Sequence, residues 1–174
     1  MKYADIKNND IVDCGSGIAV SFWTQGCPHH CHGCHNPQTW DFNGGKEDSV
    51  ENIIDYIIKA IKANNINRNF SILGGEPFCP ENIEDVLRII KAIKSEYPNI
   101  KIYVWTGYTY EDLISKKLAT YFLEIRNYID YLIDGLYEED KRNITLFLRG
   151  SSNQRVIDIK RTEEEGKVIS IESI

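Results

Sequence analysis

The sequence predicts an α/β fold: a parallel sheet with helices outside it, built as an open or partial β/α barrel. Three observations predict this. Strand-like and helix-like stretches alternate along the chain, as in βαβ units with right-handed crossovers. Each strand-like stretch ends in an unusual short sequence, and in α/β folds such strand ends gather on one face. The chain has 174 residues, too few for the roughly 250 of a full eight-unit barrel. One domain over 1–174 is the simplest organisation, since no repeat, low-complexity tract or linker interrupts it.

The elements follow in order. Asp10 to Ser16 reads as a loop, with Gly15 and Gly17 as breakers. Ile18 to Trp23 is an apolar run of strand length. It leads into Gly26 to His35, where Pro28 and Gly33, then Asn36 and Pro37, favour a loop. Asp48-Ser49 is placed to cap a helix with Val50, Ile53, Ile54, Ile57, Ile58 and Ile61 at helical spacing, broken at Asn64-Asn65. Phe70 to Leu73 is a strand stopping at Gly74-Gly75-Glu76-Pro77. A second helix, opened by Pro80, buries Ile83, Val86, Leu87, Ile90 and Ile93 and ends before Pro98. Ile100 to Trp105 is a strand stopping at Thr106-Gly107-Tyr108. Tyr110 to Lys117 and Leu118 to Tyr128 read as helix. Ile129 to Ile133 is a strand stopping at Asp134-Gly135. Thr145 to Leu148 reads as a further strand, ending at Arg149-Gly150-Ser151-Ser152-Asn153-Gln154, and Lys167 to Ile171 as the last.

Composition excludes several classes. With 42% hydrophobic and 26% charged residues the chain is globular rather than disordered. A net charge of −6 argues against nucleic-acid backbone binding, which needs a basic surface. The N-terminus has no signal-peptide core, and no run approaches the roughly 18 apolar residues of a membrane span. The expected compartment is the cytoplasm. There cysteines stay reduced, and a cysteine cluster reads as metal-binding or catalytic.

Such a cluster is present. Cys27, Cys31 and Cys34 follow a C-x3-C-x2-C spacing, and all four histidines, His29, His30, His32 and His35, lie among them. Thiolates suit zinc, Cu(I) or iron–sulfur clusters. A Cys3His zinc site is one reading. The absence of a distant second ligand pair favours the other, a cluster with three protein ligands and one iron left open. Gly74-Gly75-Glu76-Pro77 adds to this, because paired glycines let the backbone approach a ligand closely and a carboxylate beside them suits an ammonium. Cys14 and Cys79 read as plain buried or loop thiols. The histidines read as polar loop residues, with at most one in a specific role. Trp105 and Tyr108 read as core and rim residues. The run 138–142 reads as a solvated loop. The segment Arg149 to Gln154 fits either a capped turn or a contact with cofactor or partner.

In order, the segments SFWTQGCPHHCHGCHNPQTW, LGGEP, VWTGY, YLIDG and LRGSSNQR resemble the radical S-adenosylmethionine superfamily, and within it the activases of glycyl-radical enzymes. The resemblance covers Phe22 to Arg155. It implies an oxidoreductase with a partial β/α barrel of the radical S-adenosylmethionine type. Cys27, Cys31 and Cys34 would ligate a [4Fe-4S] cluster whose fourth iron takes the amino and carboxylate groups of S-adenosyl-L-methionine. Gly74, Gly75 and Glu76 would hold the methionine amino group. The backbone of Gly33, Cys34 and His35 would border the adenine, and Asp134 would meet the ribose or methionine part. Two departures are visible. Gly33 stands where many members carry an aromatic residue, and Leu136 where some activases carry a lysine. The implied partners are the glycyl-radical large subunit of an anaerobic ribonucleoside-triphosphate reductase and an electron donor such as flavodoxin or ferredoxin. Activation of another glycyl-radical enzyme, such as pyruvate formate-lyase, is the alternative within the enzyme class. A zinc-binding interaction module is the alternative outside it.

Overall fold

Successive side chains of a strand point to opposite faces of its sheet, and here the two sets meet different surroundings. A computed structural model describes residues 1–115 and 118–173. In it β1 (Lys2–Asp10), β2 (Ala19–Thr24), β3 (Lys46–Glu47), β4 (Asn69–Gly74), β5 (Ile102–Trp105), β6 (Tyr131–Asp134) and β7 (Arg155–Asp158) form one sheet. Their spatial order is β3-β1-β2-β4-β5-β6-β7. The four inner strands, β2, β4, β5 and β6, run parallel. β1 and β7 flank them antiparallel, and β3 pairs antiparallel with β1 at the outer edge. The fold is therefore α/β with a mixed, open sheet, and the expectation of a wholly parallel sheet holds for its centre alone.

On one face Val20, Phe22, Phe70, Ile72, Ile102, Val104 and Leu132 form the main core. They pack with residues of α1 (Val50–Lys62), α2 (Ile83–Glu96), α3 (Tyr110–Ser115) and α4 (Ala119–Ile125). On the other face Tyr103 and Ile133 meet Val156, Trp105, Phe147 and Leu148 in a smaller cluster. Beside it Trp23, Leu73 and Trp105 line an open cleft. The same alternation thus builds the core and the floor of the site.

Local chemistry explains the element boundaries. Ser49 caps α1 by accepting from Asn52 N at 3.1 Å, and Glu51 near the start with Lys59 and Lys62 near the end suit the helix dipole. Asn64 and Asn65 take positive φ values of 60° and 54° just beyond it. The buried guanidinium of Arg68 then donates to Ala63 O at 2.6 Å and Asn8 O at 2.9 Å, tying the end of α1 to β1. Pro80 does not open α2; it lies in the turn before Ile83. The predicted helix over 110–117 is seen as α3, with Lys116 and Lys117 outside the described residues, and that over 118–128 as the shorter α4.

The C-terminal third departs most. Thr145 to Leu148 is not a strand but a set of turns. Asn143 Oδ1 accepts from both Thr145 N and Thr145 Oγ1, and Leu148 has φ 56°, which breaks extended geometry. The place beside β6 is taken by β7, which runs into α5 (Ile159–Glu165). Asp158 caps α5 and Gly166 closes it with φ 65°. Lys167 to Ile171 is reduced to an isolated bridge between Ser170 and Ile157. Among the described residues no helix is long and apolar enough to cross a membrane.

β6 and β7 are joined by charge. Asp134, fully buried, accepts from Arg155 Nε at 2.9 Å and from Arg155 Nη2, and Arg155 also pairs with Glu111 at 2.7 Å. Losing the Asp134 charge weakens its bonds to Arg155, which is part-exposed and keeps Glu111 as a partner. Asp134→Asn is expected to lower unfolding free energy by about 1.5 kcal/mol, as for hydrogen bonds to a charged group, measured by anaerobic denaturant titration. A loss under about 0.5 kcal/mol would contradict this role.

Candidate metal centre

The cysteine loop is hung from the end of β2 by backbone bonds. Gly26 N donates to Thr39 O at 2.8 Å and Cys27 N to Trp40 O at 3.1 Å, which closes the loop on itself. The end of β4 clamps the same root: Gly75 N donates to Thr24 O at 2.9 Å and Glu76 N to Gly26 O at 2.8 Å. Both glycines are required. Gly74 has φ 101°, and a Cβ there would stand 2.9 Å from the Thr24 backbone. A Cβ at Gly75 would collide with the Gly26 carbonyl.

This arrangement puts Cys27, Cys31 and Cys34 on one cleft of ≈540 Å³ with Gly74, Gly75 and Glu76. His29, His35, Trp23, Trp40, Trp105, Gly135 and Gln154 also line it. Of the predicted site residues, two are elsewhere. Gly33 is not on the cleft wall; it has φ 75° and lies against Glu139. Asp134 turns its carboxylate to Arg155 and to Tyr110 N at 2.8 Å, so that its neighbour Gly135 reaches the cleft in its place. Cys14 and Cys79 are buried thiols away from the cleft lining.

Glu76 is bonded through both carboxylate oxygens, at 1% exposure. Its Oε1 accepts from Phe78 N at 2.9 Å and Thr106 Oγ1 at 2.8 Å. Its Oε2 accepts from Gly107 N at 2.7 Å and lies 2.8 Å from His29 Nε2. The imidazole of His29 packs edge-on against Tyr108, with ring centroids 4.6 Å apart. Gly107 admits that ring, since a Cβ there would stand 2.5 Å from it. Of the other histidines, His30 packs on Trp40 and His35 on Tyr137, while His32 is exposed.

The segment 149–154 is a turn pinned by Gln154, whose Oε1 accepts from Gly150 N at 2.9 Å and Ser151 N at 3.1 Å. Gln154 Nε2 donates to Gly135 O at 3.0 Å. The structure shows the turn, and Arg149, Gly150 and Gln154 also line the cleft. Trp105 is cleft lining rather than plain core, its indole donating to Leu148 O at 2.9 Å. Trp40 and Asp13, which sequence reasoning passed over, line the cleft too. Trp40 carried a signal, as it closes the cysteine segment. Asp13 carried none; its carboxyl is pushed up to about 6 by burial and by the charge of Asp10.

The donor set fits an iron–sulfur cluster. Three reduced cysteines share one cleft, and soft thiolates are what such clusters take. Asn36 N already points at Cys34 Sγ at 3.3 Å, the kind of N–H···S contact that tunes a cluster. Burial pushes the Cys27 thiol up to about 11 and raises that of Cys31 as well. Both are protonated at neutral pH in the metal-free chain, and ligation must release those protons.

Comparison with known proteins gives concordant findings. Residues 14–157 match the family described as "4Fe-4S single cluster domain". The chain is 37% identical over 155 residues to the anaerobic ribonucleoside-triphosphate reductase-activating protein of Pasteurella multocida (strain Pm70), covering 88% of this chain and 95% of that protein. It is 34% identical over 157 residues to the protein of the same name from Escherichia coli (strain K12), covering 90% and 97%. For the one from Enterobacteria phage T4 the values are 33% over 159 residues, 90% and 93%.

In the metal-free protein, alkylation of Cys27 by iodoacetamide is expected to be slow at pH 8 and still rising at pH 10, followed by mass spectrometry of the peptide. A plateau reached below pH 9 would contradict the raised thiol.

Proposed function

The chain belongs to the 4Fe-4S single cluster domain family and to the anaerobic ribonucleoside-triphosphate reductase-activating proteins, and on that premise we propose that it installs the glycyl radical of such a reductase by reductive cleavage of S-adenosyl-L-methionine. The observation that carries this is the meeting of Cys27, Cys31 and Cys34 with Gly74, Gly75 and Glu76 on one cleft, from the ends of two neighbouring parallel strands.

Cys27, Cys31 and Cys34 would hold three irons of a [4Fe-4S] cluster through their Sγ atoms. Bound there, such a cluster would supply the one-electron chemistry for reductive cleavage of S-adenosylmethionine and hence for radical formation on a glycine of the reductase. The chain's residues do the rest by placement. Gly74, Gly75 and Glu76 receive the methionine amino group, which fixes the reacting bond relative to the metal. Cys34 and His35 border the adenine, with Gly33 shaping the turn that presents them. Asp134 acts by holding the strand end from which Gly135 enters the cleft. Trp23, Leu73 and Trp105 make an apolar floor that keeps water from a reactive intermediate.

The helix-covered and cleft-facing sides of the inner strands support a partial β/α barrel of the radical S-adenosylmethionine type, filling 1–174 as one domain. The partner is the large subunit of an anaerobic ribonucleoside-triphosphate reductase; the names of the relatives state activation of such a reductase for themselves. Those names favour it over pyruvate formate-lyase. A flavodoxin or ferredoxin supplies the electron, and the cytoplasm is where these partners meet.

After anaerobic reconstitution and dithionite reduction, the protein is expected to form 5′-deoxyadenosine from S-adenosylmethionine. Cys27→Ala, Cys31→Ala and Cys34→Ala are each expected to reduce the yield about 100-fold or more, since even outer-shell changes at metal sites cost about 10- to 100-fold. Cys79→Ala should retain it. Full activity in any of the first three would refute the ligand assignment.

A further inference from the structure

A carboxylate has about four positions at which it can accept hydrogen bonds. All four of Glu76 are met from within the protein: Phe78 N, Thr106 Oγ1, Gly107 N and the imidazole of His29. A ligand amino group therefore meets a carboxylate with no acceptor position to spare. One of the four must yield. Phe78 N belongs to the turn that carries Glu76 itself, and Gly107 N to the backbone after β5, so releasing either would unfold a strand end. The Thr106 hydroxyl is buried at 5% exposure. His29 differs from all three. Its side chain is 14% exposed, it lines the cleft, and it comes from the cysteine loop, 47 residues from its partner. Rotating its side chain frees Oε2 without moving backbone.

We propose that His29 is a displaceable partner of Glu76: it holds the carboxylate in place in the ligand-free protein, and the amino N–H of S-adenosylmethionine replaces it on Oε2. The inference rests on the reading that Glu76 receives that amino group. Exchange would be favourable because an amino nitrogen held on iron has polarised N–H bonds, stronger donors to a carboxylate than a neutral imidazole. The bond given up lowers the net affinity for the ligand, as any competing internal contact does. His29 is thus a positioning residue that acts through Glu76. Its place between Cys27 and Cys31 lets the metal-holding loop respond to ligand arrival. The glycine of Thr106-Gly107-Tyr108 has a reason as well, since a side chain there would push the imidazole away.

The sign of the effect separates this role from simple support. The cluster-loaded, unreduced protein is titrated with labelled S-adenosylmethionine by anaerobic equilibrium dialysis, with iron and sulfide measured per chain. His29→Ala removes the competitor, and the dissociation constant is expected to fall about five-fold, as for loss of one competing hydrogen bond. His29→Gln keeps a donor and is expected to restore the parent affinity. Glu76→Gln is expected to weaken binding about ten-fold or more. If His29→Ala loses the cluster, Gly107→Ala presses on the same imidazole from the β5 side and is expected to tighten binding likewise. Unchanged or weaker binding in the cluster-loaded His29 or Gly107 variant, with Glu76→Gln weakened, overturns the displacement while the reading of Glu76 stands. Unchanged binding in Glu76→Gln overturns that reading, and the displacement with it.

Discussion

Two backbone hydrogen bonds, Gly75 N to Thr24 O and Glu76 N to Gly26 O, fasten the end of β4 to the root of the cysteine loop. They demand an approach that side chains at 74 and 75 would block. Once the approach is made, the geometry of the site follows. Cys27 leaves the strand end at a fixed point and Glu76 is placed under the loop. The imidazole of His29 then spans from one to the other. The two bonds run backbone to backbone between residues about 50 apart in sequence, and Asn82 Nδ2 reinforces them by donating to Gln25 O and Glu76 O.

The sheet supplies the second half of the design. Its inner strands bury one set of side chains under the helices and offer the other set to the cleft. Parallel strands place their carboxyl ends together, and a ligand in the crevice beyond them touches several strands at once. Here those ends deliver the cysteine loop, Gly74 to Glu76, Thr106-Gly107 and Gly135. The antiparallel pair β6 and β7 closes the far side, held by the ion pair of buried Asp134 with part-exposed Arg155 and by Gln154, which bonds Gly135 O. Asp134, which the family resemblance implied as a ligand contact, fastens that wall through Arg155 and Tyr110 N.

Much of this was legible in the residues. Val50 to Ile61 and Ile83 to Ile93 repeat at helical spacing because one helix face lies on the sheet, and these helices are where they were expected. Ile18 to Trp23 and Ile100 to Trp105 were legible as strands because their interior positions are nearly all apolar. β1 was not. Its sequence, KYADIKNND, is polar and half exposed, as a flanking strand can be. The apolar run Thr145 to Leu148 misled in the opposite direction: its hydrophobicity serves the cleft and the indole of Trp105, not a ladder. β7 and α5 left a weak trace in Asp158 and Gly166, the two caps of a short helix. The three cysteines, the paired glycines and Glu76 were readable because local spacing encodes them. The bonds of His29 to Glu76 and of Asp134 to Arg155 were not, because each joins positions that only the folded sheet brings together.

The central claim is that three thiolates leave one iron for the substrate itself. Pulsed electron–nuclear double resonance on the reduced protein, with S-adenosylmethionine carrying 15N at its amino group, tests it most directly. The account predicts a 15N coupling to the cluster large enough for a direct iron–nitrogen bond, present in the parent protein. A cluster that binds the labelled ligand yet shows no such coupling would contradict it.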